Sequence, residues 1–138
     1  MVPEDPTAFI RESMPLCELL GIEARMLSAD EVVLTLDWAP ELSTAGDVMH
    51  GGALMALADA AGATCAFLNL PSEAKGTSTI ESKTNFLRAV KDGTAIATAR
   101  PLHVGSGTVV VETEITNDHH LVAKITQTQV VLVDRMRA

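Results

Sequence analysis

Aromatic residues and cysteines are scarce in this chain. Aromatic side chains make up 3% of the sequence and tyrosine is absent, so the core must be built from Ala, Val, Leu, Ile and Met. The two cysteines, Cys17 and Cys65, lie far apart and match no metal-ligand spacing. This pattern favours two small buried hydrophobes in a reducing cytoplasm over a disulfide or a metal site.

Positive charge is also scarce. Ten Lys and Arg residues stand against 18 Asp and Glu residues, for a net charge of -8. Nucleic acid is therefore not an expected partner, because phosphate binding needs clustered Lys and Arg. The N-terminus has neither the positive charge nor the apolar run of a signal peptide. We expect a single cytoplasmic domain over residues 1–138, which is long enough for a real core.

The longest run of low polarity covers residues 51–70. Gly and Ala make up about half of it, and Asp59 is its single ionisable residue. Gly and Ala contribute little to membrane insertion, and a central Asp opposes it. The run therefore predicts a buried helix and no membrane contact.

Hydrophobic periodicity predicts the remaining elements. Asp5 and Pro6 mark the start of a helix that Pro15 interrupts. We expect Phe9, Met14 and Leu16 of this segment to cover one end of the core. Period-two alternation predicts strands, and the continuous apolar run predicts a central helix. The expected order is a helix from residue 5, strands at 22–27 and 32–38, a helix at 53–68, and strands at 77–88, 94–102, 108–116 and 121–133. Short turns between the last four strands predict an antiparallel meander.

These elements fit an α+β hotdog fold, in which a curved antiparallel β-sheet wraps around a long central α-helix. The strand at 77–85 is unusual because it is polar on both faces. A strand without a core face is typical of a sheet edge, either solvated or paired with the same strand of a second chain.

Asp59 is the first candidate for chemistry. A carboxylate inside an apolar helix would lose much of its hydration, so it should be paired, protonated or functional. Desolvation would also increase its affinity for a proton, which suits a general base. The alternative is a structural Asp that binds a backbone N–H or an Arg across an interface.

His50, Gly51 and Gly52 precede the central helix. The first N–H groups of a helix have no internal partner, and that end is electropositive. Glycine permits close approach of a ligand, so the Gly51 N–H could polarise a carbonyl oxygen and stabilise its oxyanion. The alternative is a loop-to-helix turn that needs glycine for its backbone angles.

The spacing of Gly51 and Asp59 predicts an oligomer. Eight residues along a helix separate them by about 12 Å, whereas a base and an oxyanion donor must both lie within about 3 Å of the reacting group. If both act on one carbonyl, Gly51 of one chain must face Asp59 of another.

Three segments carry a resemblance to a known family. The run from His50 to Asp59, the strand from Thr79 to Ala89 and the run at 121–131 resemble the phenylacetic-acid-degradation-type (PaaI-like) hotdog thioesterases, over about residues 16–133. The resemblance implies an acyl-CoA thioesterase without a cofactor or metal, since coenzyme A is part of the substrate. It also implies a homodimer with shared active sites that assembles into a tetramer.

The resemblance assigns roles to individual residues. Asp59 activates the hydrolytic water or attacks the carbonyl as a nucleophile, and Gly51 binds the thioester oxygen. His50 orients the loop or contacts the thioester. Thr79 stands where the family often has a hydroxyl that holds the water, although an ordinary strand residue is the alternative. Thr44 departs from the Asn of many relatives, and its shorter reach and single donor put rate and substrate preference in doubt.

Weaker candidates surround these residues. The predicted substrate-binding residues are Gly52, Arg88, Gly105 and Ser106. Solvated surface charge is the alternative for Arg88, and a hairpin turn is favoured for Gly105 and Ser106 because no helix follows them. The pair at 119–120, both histidines, lacks a third ligand, so a turn is favoured over a metal site.

Two other functions compete with hydrolysis. A hotdog hydratase or dehydratase would pair a His with a carboxylate in a different local pattern, which the sequence lacks. A non-catalytic acyl-CoA-binding protein remains open because of Thr44.

Overall fold

The computed structural model describes residues 3–134 and contains every predicted helix and strand. The elements are helices α1 (Pro6–Ser13) and α2 (Pro15–Leu20), strands β1 (Glu23–Leu27) and β2 (Val32–Asp37), helix α3 (Gly51–Phe67), and strands β3 (Ala74–Phe86), β4 (Thr94–Val104), β5 (Thr108–Asn117) and β6 (His120–Val133). Two short 3₁₀ turns, Pro40–Leu42 and Ala45–Asp47, lie in the loop before α3.

The six strands form one antiparallel sheet in the order β1-β2-β4-β5-β6-β3. Helix α3 packs against this sheet and contacts strands β2 to β6. The predicted α+β class and the arrangement of a sheet around one long helix are confirmed. Among the described residues, no helix has the length and apolar character needed to cross a membrane.

The predicted four-strand meander is wrong in one strand. Strands β4, β5 and β6 follow one another as expected, but β3 pairs with β6 and not with β4. The reason is that β2 already occupies the free edge of β4. Strand β3 therefore lies at the edge of the sheet, as its two polar faces predicted.

The N-terminal helices close one end of the core. The Asp5 carboxylate accepts a hydrogen bond from the Ala8 N–H at 3.0 Å, which caps α1 where the sequence predicts its start. Phe9 and Met14 pack against the core as expected. Leu16 is instead 53% exposed, so its predicted place in the core is wrong; it follows Pro15 on the outer side of α2.

Small side chains dominate the contact between α3 and the sheet. The small residues buried at this contact include Ala58, Ala61 and Gly62 on the helix and Ala95, Ala97 and Ala99 on β4. The helix was expected to be surrounded by protein, but one stripe along it stays open. Met55, Asp59 and Phe67 are exposed on that stripe, because no element within residues 3–134 covers it.

Candidate active site

Asp59 lies on the open stripe of α3, and its side chain is exposed. The predicted loss of hydration is therefore wrong for the single chain. Neighbours Ala58 and Ala60 are buried against the sheet, whereas position 59 points away from it. Desolvation of this carboxylate would need a second molecule over the stripe.

Two donors bind one oxygen of the Asp59 carboxylate. Thr79 Oγ1 donates to Oδ1 at 2.7 Å, and Gln127 Nε2 donates to the same atom at 3.1 Å. Among the described residues, the partners are thus a hydroxyl and an amide, and no backbone N–H binds this carboxylate. Within residues 3–134, Oδ2 accepts no hydrogen bond. The carboxylate is held at one oxygen and open at the other.

A second layer of polar side chains supports this pair. Gln129 Nε2 donates to Thr79 Oγ1, and Thr77 Oγ1 donates to Gln129 Oε1 at 3.1 Å. Gln127 and Gln129 are both completely buried. Sequence reasoning missed them, although a signal was present: both occupy the inward-facing phase of β6, where core strands normally carry apolar residues.

A bulge in β3 follows the hydroxyl that contacts Asp59. Thr79 pairs with Gln129 and Glu81 pairs with Thr128, so Ile80 is an extra residue on β3. The bulge lies directly after Thr79, at the position where a strand can re-aim its side chains. Ile80 is 61% exposed at the sheet edge.

His50 caps the N-terminus of α3. Its Nδ1 accepts a hydrogen bond from the Gly52 N–H at 2.7 Å. A Cβ on Gly52 would lie 2.9 Å from that same atom, so the cap requires glycine there. The Gly52 N–H is consequently occupied. No described residue accepts a hydrogen bond from the Gly51 N–H, which is left free at the electropositive helix end.

A groove beside Gly51 brings three predicted site residues together. Thr44, Gly51 and Arg88 line it with Phe86, and its volume is about 370 Å³. Phe86 Cζ would lie 3.2 Å from a Cβ at Gly51, so the ring limits the space for any side chain there. Asp59 and Thr79 do not line this groove; Asp59 lies further along α3, and Thr79 contacts it from β3.

Gly105 and Ser106 lie in the turn between β4 and β5. The Gly105 N–H donates to the Thr108 carbonyl oxygen at 2.9 Å, so it is used within the hairpin. This geometry favours the plain turn, and binding of substrate by these two residues stays a prediction.

His120 Nδ1 contacts the Asp118 carbonyl oxygen in the turn between β5 and β6. Within residues 3–134, no three His, Cys, Asp or Glu side chains form a metal-binding group.

A second groove opens one helical turn beyond Asp59. Its volume is about 280 Å³ and its lining is mostly apolar. Phe9 and Met14 from the N-terminal segment face Ala63 and Phe67 of α3 across it, and Thr77 of β3 closes one side. The groove thus begins beside the polar network that holds the carboxylate.

Both cysteines should be inert in the folded protein. Burial raises the pKa of the Cys65 thiol to about 11 and also raises that of Cys17, where the Arg11 guanidinium opposes the shift. Because the thiolate is the reactive form, neither should react quickly with Ellman's reagent at pH 8, while both should react after denaturation. Rapid labelling of either thiol in the native protein would contradict this packing.

Comparisons with known proteins agree with this architecture. The family model of the thioesterase superfamily matches residues 46–124. Rv1847 of Mycobacterium tuberculosis, a protein inferred to be an esterase, is 30% identical over 118 residues, which is 84% of each chain. The structure of thioesterase HI1161 from Haemophilus influenzae is 25% identical, covers 90% of each chain and has a TM-score of 0.80. A mutant of thioesterase PA1618 from Pseudomonas aeruginosa is 21% identical, with coverage of 94% and 96% and a TM-score of 0.85.

Proposed function

This chain belongs to the thioesterase superfamily of hydrolases, and from that premise we propose that it is a PaaI-like enzyme that hydrolyses acyl-CoA esters in the cytoplasm. The observation that carries the proposal is the Asp59 carboxylate, anchored at Oδ1 and open at Oδ2. The free Gly51 N–H supplies the complementary donor. Coenzyme A enters as part of the substrate, and no other cofactor is proposed.

The groove at Phe9, Met14 and Phe67 supports an apolar acyl group. Its lining is mostly apolar and it begins one turn from Asp59, as expected where an acyl chain or aromatic ring leaves the scissile bond. We assign the groove lined by Thr44, Gly51 and Arg88 to the coenzyme A half of the substrate. Arg88 provides a cation for the phosphates of coenzyme A.

The proposed chemistry uses two groups. The Gly51 N–H polarises the thioester carbonyl and stabilises the oxyanion. Asp59 takes a proton from water, whose oxygen attacks the carbonyl carbon; alternatively, Asp59 attacks directly and water hydrolyses the resulting anhydride. In both routes the C–S bond breaks, the sulfur takes up a proton, and the free acid and the thiol of coenzyme A are released.

A second copy of the chain completes the proposed site. Strand β3 has an edge that pairs with no other described strand. Ile80, Phe86 and Leu87, along or just past that edge, are 61%, 49% and 58% exposed. Pairing β3 with β3 of a second chain would cover these side chains and the open stripe of α3. By two-fold symmetry, Gly51 of each chain would then face Asp59 of the other. The tetramer implied by the family resemblance stays a prediction.

The reaction is tested by following thiol release from short, long and aromatic CoA esters with Ellman's reagent. We expect release from at least one class, with apolar acyl groups preferred over acetyl because of the apolar groove. Buried protein thiols should add little background.

The same experiment separates the competing functions. Addition of water to an enoyl-CoA without thiol release would favour the hydratase. Tight binding of CoA esters across chain lengths, with no thiol released, would favour the non-catalytic binding protein and contradict the proposal.

A further inference from the structure

Packing does not explain the two buried glutamines behind the candidate carboxylate. Gln127 and Gln129 are excluded from solvent on β6, between the buried apolar residues Ile125 and Val131. A buried amide loses its hydration, so it is normally kept where all its hydrogen bonds are made. Gln127 does not meet this condition, because its Oε1 has no hydrogen-bond partner within residues 3–134.

Asp59 explains the orientation of Gln127. Gln127 Nε2 donates to Asp59 Oδ1 at 3.1 Å. If the amide were reversed, Gln127 Oε1 and Asp59 Oδ1, both acceptors, would face each other. Oε1 therefore faces Gly62, where any Cβ would overlap the carboxamide. Glycine is unfavourable in a helix interior. Here it provides the space in which Gln127 reaches past α3 to the carboxylate.

Gln129 supports the Thr79 hydroxyl that binds Asp59. An ionised carboxylate only accepts hydrogen bonds, so the Thr79 hydroxyl donates its one proton to Asp59 Oδ1, 2.7 Å away. Thr79 Oγ1 must then accept from Gln129, which places Nε2 of the Gln129 amide towards Thr79 and Oε1 towards Thr77. Thr77 Oγ1 lies 3.1 Å from Gln129 Oε1 and 3.0 Å from the Val130 carbonyl oxygen, so these two acceptors share its one proton.

We propose that Gln127 and Gln129 are positioning residues that direct two donors to Oδ1 of Asp59 and leave Oδ2 as the reacting oxygen. The inference rests on the proposed function of Asp59 and adds which oxygen reacts and what holds it. A carboxylate bound twice at one oxygen cannot rotate without losing both bonds. The open oxygen, Oδ2, therefore keeps one orientation between turnovers. A base or nucleophile needs such a fixed orientation to meet the reacting atom at the correct distance and angle.

The test replaces each glutamine by methionine, which has a similar length and no donor. In the full-length chain, with the CoA ester that the parent hydrolyses fastest, Gln127→Met and Gln129→Met should each lower kcat by about 10–100-fold. KM should change by less than about 3-fold, because neither side chain contacts substrate. The matched control is Thr113→Val, which also removes a buried polar atom without a partner among the described residues. It should keep parental kcat.

A double-variant series separates this inference from the proposed function. In an Asp59→Asn background, Gln127→Met should cause no further loss, because the group that it positions is gone. Parental kcat in both glutamine variants, or a full additional loss in the Asp59→Asn background, would overturn the inference while leaving a role for Asp59 intact. Parental activity of Asp59→Asn itself would reject the proposed function.

Gly62→Ala provides a second variant should the methionine variants fail to fold. It retains Gln127 but displaces its carboxamide, so kcat should again fall by about 10–100-fold. Combining it with Gln127→Ala removes the overlap, so the thermal midpoint should recover while kcat stays low. Parental kcat in a folded Gly62→Ala protein would overturn the inference.

Discussion

Asp59→Asn is expected to lower kcat for CoA ester hydrolysis by about 10²–10⁴-fold, the usual contribution of a general base, with a much smaller change in KM. Asparagine has nearly the same shape and offers an oxygen to the Thr79 and Gln127 donors that now bind Oδ1. Its amide neither takes a proton from water nor attacks a carbonyl. Thiol release at saturating substrate measures the effect.

The control for Asp59→Asn is the same substitution at Asp118. Asp118 lies in the β5–β6 turn with a positive φ of 50°, a conformation that asparagine tolerates well. Asp118→Asn removes one negative charge without touching either groove, so it should retain parental kcat. The thermal midpoint of Asp59→Asn should stay near that of the parent, because asparagine still offers an oxygen to the Thr79 and Gln127 donors. An Asp59→Asn variant as active as the parent would rule out the proposed mechanism.

Local pattern was sufficient to predict the helices and strands but not the order of the strands. Period-two alternation and the apolar run are properties of neighbouring residues, and they predicted each element close to its observed bounds. The partner of β3 depends instead on which sheet edge remains free. Strand β2 covers the edge of β4, which leaves the outer edges of β1 and β6 for β3. Strand β3 pairs with β6, and no signal within β3 specifies that choice.

The site, too, was predictable only where local sequence pattern or family spacing pointed to a residue. Family spacing pointed to Asp59 and Thr79, and the structure brings their side chains into contact. Exposure of Asp59 was not predictable, because an apolar helix face gives no indication of whether its own chain or a second chain covers it. Gln127 and Gln129 could have been identified as polar residues in the buried phase of β6, since such residues are costly unless they serve a specific partner.

Complementation between two inactive variants should restore activity if the site is shared. Gly51→Pro removes the proposed oxyanion donor, and proline is tolerated at the first position of a helix. His50 has φ -60° and ψ 135°, which suits a residue before proline. Gly51→Pro alone should lower kcat by about 10²–10³-fold. Gly51→Ala is the matched control, because it places a similar Cβ near Phe86 but keeps the N–H.

Mixing the Gly51→Pro and Asp59→Asn chains then distinguishes a shared site from an internal one. In a heterodimer with shared sites, one site carries both substitutions and the other carries neither. Heterodimers purified through two different tags should therefore recover about half of the parental activity, and a randomly exchanged mixture about a quarter. A site within one chain would carry a defect in every subunit, so activity would stay at the level of the single variants. That result would contradict a dimer with shared sites. It would therefore also contradict the proposal that the Gly51 N–H of one chain and the open oxygen of Asp59 of the other act on the same thioester.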